Sequence, residues 1–186
     1  MLPRPITVAD LLSLPEIDGT VESTHYAHVN RVIEETSVTW KLERRLLRQR
    51  SIDGNRLSDD MQFAYKQIVT GVEDGLAVCI DMAGAVVASL IAQPRGELGT
   101  LHLVDLRVDY DYRRQGLGLA LACAAIGHAR DAGLRAITAE TSTQNDPAAE
   151  MLRKLAFEPA GVDAFRFSNH DLVKERAILL WSLPLE

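Results

Sequence analysis

The sequence predicts an α/β (α+β) chain built on a mixed, mostly antiparallel sheet with helices on both faces. Three observations carry this. Residues 76–82, 86–92 and 100–108 are apolar, β-rich runs separated by short Gly-containing turns, the pattern of consecutive antiparallel strands. Residues 116–132 and 146–155 are helix-patterned and flank a further strand, residues 134–141. The composition, 47% hydrophobic and 25% charged over 186 residues, is that of a globular chain with a sizeable core. This length predicts one domain spanning residues 1–186, with residues 1–50 as an N-terminal extension whose hairpin packs on it.

Residues 6–17 read as a lead segment, and residues 24–33 and 36–46 as paired strands. In the second of these, Val38, Trp40 and Leu42 alternate with Thr39, Lys41 and Glu43, the alternation of a half-buried strand. Residues 51–60 (SIDGNRLSDD) form a polar loop, and residues 61–69 a short helix ended by Gly71. Ala83-Gly84 joins residues 76–82 to 86–92 as a second hairpin, and a turn near Gly96 and Gly99 leads to residues 100–108. Gly133 stops the long helix, and Asp146-Pro147 opens the next as N-cap and first-turn proline. Residues 157–159, 162–167 and 176–183 complete the sheet.

Lys and Arg number 20 against 26 Asp and Glu, a net charge of −6, with an isoelectric point near 5.4. Duplex affinity depends on basic side chains displacing counterions, so no nucleic-acid partner is expected, and a cationic or amine partner fits the sign better. The basic residues within 41–50 read as a solvated strand face or hairpin edge. The apolar runs are too short for a bilayer, and the first residues carry Arg4 and Asp10 without an apolar stretch. No membrane association and a cytoplasmic location are expected. Cys79 and Cys123 form no CxxC and read as small buried hydrophobes. His25 and His28 fall on opposite faces of a strand, so no metal site is expected.

The most informative residues are Arg113, Arg114, Gln115, Gly116, Leu117 and Gly118, between a strand and the long helix. A helix start carries backbone N–H groups without intrahelical partners and the positive end of the helix dipole, and glycines let a ligand approach them. That arrangement seats a pyrophosphate, with the two arginines adding charge. It is not a Walker A loop, and as a dinucleotide fingerprint it would need its third glycine where Leu121 stands.

Residues 103–157 resemble the GCN5-related N-acetyltransferases: a strand ending Leu106-Arg107-Val108, then Asp109-Tyr110-Asp111-Tyr112, the R-x-x-G-x-G loop, a helix, a strand ending Ile137-Thr138-Ala139-Glu140, Asn145 opening a helix, and Phe157. Ile17-Asp18-Gly19-Thr20, the Val38-Thr39-Trp40 strand, and Gly161-Val162-Asp163 leading to Ala177-Ile178-Leu179-Leu180-Trp181 are similar to streptothricin acetyltransferases. The resemblance implies acetyl-CoA bound where two central strands splay apart. It puts backbone groups of Leu106 and Val108 against the acetyl-pantetheine arm, Arg113 to Gly118 on the pyrophosphate, and Asn145 on the cofactor side. It implies direct transfer of acetyl to an amine. A lysine-type amine, with a pKa near 10.4, is mostly protonated at neutral pH, so a base or relay must free it. A backbone N–H near Val108 would stabilise the oxyanion.

Two carboxylates are candidate bases. Glu140 ends a central strand where some family members carry a catalytic glutamate. Asp105 is expected to share a strand face with Leu101, Leu103 and Arg107. Streptothricin acetyltransferases tend to have a Glu-Asp pair there, whereas this chain has Val104-Asp105. Leu152 stands where many members place the tyrosine that protonates the departing thiolate, Ala156 replaces a glycine, and Phe167 replaces a tyrosine. A thiolate can leave without full protonation.

These readings converge on an acetyl-CoA-dependent N-acetyltransferase acting on a small-molecule amine, with the β-lysine amine of a streptothricin-type antibiotic as the named acceptor. The alternatives are a protein or peptide N-acetyltransferase and a non-catalytic acetyl-CoA-binding sensor. A homodimer is left open as the assembly.

Overall fold

The computed structural model describes residues 2–185. In chain order these form β1 (Arg4–Pro5), two 3-10 turns (Val8–Leu12 and Leu14–Glu16), β2 (Val21–Ile33), β3 (Val38–Asp53), α1 (Asp59–Val69), β4 (Leu76–Met82) and β5 (Ala85–Arg95). Then come β6 (Thr100–Val108), α2 (Leu117–Asp131), β7 (Ala136–Ser142), α3 (Asp146–Lys154), β8 (Glu158–Asp163) and β9 (Ile178–Pro184). The chain groups into two compact units. One comprises Met1–Thr20, Gly54–Ala139 and Ser182–Glu186; the other comprises Val21–Asp53 and Glu140–Trp181.

In the first unit the strands run in the order β1-β4-β5-β6-β7. Successive pairs through β6 are antiparallel, and β6 pairs parallel with β7. The expected segments 76–82 and 100–108 coincide with β4 and β6, because Ala83-Gly84 and Gly99 punctuate them. α1 starts where the Ser58 hydroxyl accepts a hydrogen bond from Met61 N–H at 3.2 Å, with Asp59 and Asp60 at the positive end of its dipole. Its Tyr65 and Ile68, one turn apart, are buried with Ile6, Leu14, Ile17, Leu57, Cys79 and Ile91. Each full burial of such an aliphatic side chain contributes about 1.5–3 kcal/mol.

Strand β6 has two irregularities. Its register with β5 skips Val104: Ile91 faces Asp105 while the next residue, Ala92, faces Leu103. That extra residue is a β-bulge. On its other side β6 pairs with β7 only over Thr100, Leu101 and His102.

The second unit holds the antiparallel hairpin β2–β3 and the strand order β7-β9-β8. Trp181 is buried in it and its indole N–H donates to Thr141 Oγ1 at 2.8 Å. Backbone N–H of Ala27 in β2 donates to Thr143 O at 2.8 Å, so the hairpin base is hydrogen-bonded to the chain leading into α3. β3 runs on to Asp53, three residues into the expected loop.

The structure corrects three expectations. The alternating face of β3 is only partly covered: Val38 is 55% exposed and Trp40 39%, with Arg31 stacked 5.5 Å from the Trp40 centroid, while Leu42 is partly buried. Alternation reports which side chains share a face, not whether a layer covers it. Cys123 is exposed on α2, whereas Cys79 is buried, its thiol pushed up to about 11 by burial. The extended piece expected at residues 162–167 ends at Asp163, where the carboxylate accepts from Phe165 N–H and turns the chain.

Candidate active site

The C-terminal half of β6 is the natural centre of the first unit. From Leu103 to Val108 its β7 side has no strand partner among the described residues, and the Val108 carbonyl there is bonded by Arg113 Nε at 3.1 Å. Beyond Val108 the chain is pinned: Asp109 N–H donates to Val87 O at 2.8 Å, and the Asp109 carboxylate accepts from Asp18 N–H at 3.0 Å and Asp111 N–H at 3.1 Å. Tyr110 N–H returns the contact to Asp18 O at 2.9 Å. Gly19 completes this approach, since a Cβ there would lie 2.6 Å from Asn55 O.

The bulge decides which way Asp105 faces. Residues directly opposite share a face, so Asp105 lies with Ile91 and Arg107 lies with Ser89, while Leu103 falls on the opposite face with Ala92. Asp105 therefore shares its face with Arg107, as expected, but not with Leu101 and Leu103; one extra residue reverses the alternation. The carboxylate is fully engaged. Arg107 donates from Nε to Oδ2 at 2.8 Å and from Nη2 to Oδ1 at 2.9 Å, and the Tyr65 hydroxyl donates to Oδ2 at 2.8 Å. Ser89 lies 2.9 Å from that hydroxyl, and Arg107 Nη1 reaches Asn55 O at 3.3 Å. The Arg107 side chain is 3% exposed and that of Asp105 12%. Burial, with the Asp105 charge second, holds the Tyr65 phenol well above its ordinary pKa, so it remains a donor. Burial disfavours the Arg107 charge, but the bonds to Asp105 outweigh it and raise the guanidinium's pKa.

The loop after β6 separates its two arginines. Arg113 turns inward, donating from Nε to Val108 O at 3.1 Å and from Nη1 to Thr20 O, with its guanidinium 5.3 Å from the Tyr110 ring centroid. Burial lowers its pKa. Arg114 and Gln115 are exposed. Arg114, with φ of 61°, and Gly116, with φ of 83°, both take left-handed backbone, and a Cβ at Gly116 would meet nothing within 4 Å. No side chain caps α2, so the first N–H groups of the helix, Leu117 and Gly118 among them, have no capping partner. This is an arrangement that suits a pyrophosphate.

Glu140 and Asn145 lie in the second unit. Glu140 Oε2 accepts from Arg166 Nη1 at 3.0 Å, and Asp163 shares the same guanidinium at 2.8 Å. All three side chains are a third or more exposed, which weakens the pairing by solvent screening. Asn145 is the N-cap of α3, its Oδ1 accepting from Ala148 N–H at 3.2 Å. Asp146 beside it is clasped by Arg44 through two 2.8 Å bonds, which lower its pKa, so one arginine of the basic β3 run has a fixed partner. Leu152 is buried.

Sequence reasoning missed Tyr65, whose helical spacing with Met61 and Ile68 reads as core, and it missed Tyr26 and Glu175. Tyr26 donates its hydroxyl to Glu175 Oε1 at 2.6 Å across 149 residues of sequence, a separation no local pattern encodes.

No curated protein sequence matches this chain. Among solved structures, it is similar to nourseothricin acetyltransferase, with a TM-score of 0.78 at 19% identity over 99% of this chain and 98% of that one. It is similar to a protein described as a streptothricin acetyltransferase from Bacillus anthracis in complex with acetyl coenzyme A, with a TM-score of 0.75 at 17% identity over 99% of both chains. The ribosomal-protein-S18-alanine N-acetyltransferase of Escherichia coli gives a TM-score of 0.67 at 20% identity over 99% of this chain and 93% of that one. The sequence profile of the acetyltransferase (GNAT) family matches residues 40–157, a span that takes in β6, the glycine loop, α2 and the whole of α3. The chain therefore belongs to the GNAT family, and it is an acyl-CoA-dependent N-acetyltransferase.

Proposed function

We propose that this protein acetylates an amine of a small molecule, with a streptothricin-type antibiotic, through its β-lysine amine, as the acceptor, and that it acts in the cytoplasm. The observation that carries the transfer reading is the unpaired half of β6 leading into an uncapped helix start. The choice of acceptor is supported by likeness, over nearly the whole length of both chains, to the nourseothricin and streptothricin enzymes.

Acetyl-CoA, when bound, supplies the activated acetyl thioester. The residues that would hold it are Leu106 and Val108 through their backbone, Arg113 to Gly118 through the loop, and Asn145. Within the loop, Arg114 is the arginine left to meet phosphate, since Arg113 is spent on Val108 and Thr20. Glu140 and Asp105 remain the two candidates for removing the amine proton. Glu140 is favoured, because its partner Arg166 is 43% exposed and can swing away. Asp105 has both oxygens bonded by a buried guanidinium and its removal would strand that charge. Replacing each by Ala and following turnover against pH separates them, since loss of a true base removes the acidic limb.

The deciding experiment incubates the protein with acetyl-CoA and a streptothricin, follows thiol release and weighs the antibiotic. Gain of one acetyl group with matching thiol is the expected result. The similarity to the S18-alanine enzyme favours a second reading, a protein N-terminus as acceptor. Thiol release with an Ala-initiated peptide, and an unmodified antibiotic, would select it.

A further inference from the structure

The second unit contains a cluster of titratable side chains that neither candidate base explains. It is built on the turn before β9. Asp171, 1% exposed, accepts from Phe167 N–H at 2.8 Å and Ser168 Oγ at 2.7 Å, while Arg176 N–H donates to Asp171 O at 2.9 Å. Between these anchors Glu175 takes a left-handed backbone, φ 54°, which is strained for a non-glycine residue. Its carbonyl is clamped by the hydroxyl of Thr143 at 3.0 Å, two residues before Asn145, and by the side-chain amide of Gln144 at 3.4 Å.

The strained backbone presents a carboxylate of unusual availability. Oε1 accepts the 2.6 Å bond from Tyr26 and lies 3.7 Å from His28 Nδ1. Oε2 has no hydrogen bond among the described residues, and the side chain is 43% exposed. Tyr26 and His28 meet edge to face at 6.1 Å beside it. Arg45, opposite Tyr26 on β3, pairs with Glu43 and also interacts with the Tyr26 hydroxyl, so among the described residues neither Glu175 oxygen is bonded by an arginine or lysine. Asp105 and Glu140 differ, each having both oxygens engaged by an arginine. A carboxylate with one oxygen pinned and the other open suits an ammonium group, because it offers a charge-assisted acceptor. A metal is a poor fit, because no group of three or more ligating side chains occurs among the described residues.

We infer that Glu175, oriented by Tyr26, recognises a primary ammonium group of the acceptor. The inference rests on the small-molecule N-acetyltransferase reading and names the residue that selects for a cationic acceptor. Because this carboxylate would bind the amine in its charged form, its role is recognition, not proton removal.

The test is calorimetric titration of streptothricin and of lysine amide into the wild-type protein and Glu175→Gln, with acetyl-CoA titrated separately. Glutamine keeps an acceptor for Tyr26 and removes the charge. The expected result is cation affinity weakened about tenfold or more, the order of one charge-assisted bond, with acetyl-CoA affinity unchanged. Should Glu175→Gln fail to fold, Glu175→Gly, which the left-handed backbone favours, serves in its place. Unchanged cation affinity overturns the inference. So does equal weakening toward acetyl-CoA, and so does a wild type that binds neither cation. If wild type binds the cations through Glu175 yet releases no thiol with any amine, the transfer reading fails while the recognition role stands.

Discussion

The side chain of Asp105 illustrates how pairing changes what a residue can do. A carboxylate within a central strand is a reasonable base until its partners are known. Here both oxygens are bonded by Arg107, and Tyr65 adds a third hydrogen bond. Replacing Asp105 by Ala leaves a buried guanidinium without its counter-charge and is expected to lower unfolding free energy by about 3 kcal/mol, measured by urea denaturation. Tyr65→Phe removes one neutral donor to the same carboxylate and should cost about 1–2 kcal/mol. A Tyr65→Phe protein as stable as wild type would show that the Tyr65 hydroxyl contributes nothing to stability. At the N-terminus, Arg4 holds Asp10 through bonds of 2.8 and 3.0 Å, and these, opposed by burial and aided by Thr7, keep the Asp10 carboxyl well below the usual carboxylate range. The folded pKa lies under the unfolded value of about 3.9, so the stabilisation is present above that value and is lost as pH falls through the acid range. The stability gap between wild type and Asp10→Asn should thus be full at neutral pH and shrink below about pH 4. A gap that widens in acid contradicts the assignment.

At the scale of elements, β6 and the loop behind it carry the most consequence. The start of the strand and both ends of α2 were legible from Gly99, Gly116 and Gly133, whose turn chemistry is local. The bulge at Val104 was not legible, because the Val-Asp step in β6 looks the same in sequence whether or not the partner strand skips a residue. That one residue sends Asp105 and Arg107 to the face of Tyr65 and removes Leu103 from it. Nor did sequence distinguish Arg113 from Arg114. The inward turn of Arg113 depends on Thr20, 93 residues away. From this geometry, Arg114→Ala should weaken acetyl-CoA binding by about three- to tenfold in low salt, less in high salt, with an unchanged melting temperature. Arg113→Ala should instead lower the melting temperature. Paired titration and melting curves check both, and the reverse pattern would assign the phosphate to Arg113. The β2–β3 hairpin was legible as paired strands, but the exposure of its far end was not.

For the whole molecule, the family assignment predicts ligand linkage. A compound that binds the folded chain and not the unfolded one stabilises it by about 2.7 kcal/mol at roughly 100 times its Kd. For a chain of this size that corresponds to a melting-temperature rise of roughly 5–10 °C with acetyl-CoA, measurable by scanning calorimetry or dye binding. No shift at saturating acetyl-CoA would argue that the open start of α2 does not serve this ligand. Sequence by itself determined the alternation of strands and helices, the order in which they come, and the loop that opens α2, since each depends on residues within a few positions of one another. Tertiary structure alone decided which carboxylates are consumed by cations and which remain open. Asp105 meets Tyr65 from 40 residues away, Glu140 meets Arg166 from 26, and Glu175 meets Tyr26 from 149. Charge pairing acts through space over a few ångströms, and only the folded chain sets which side chains come that close.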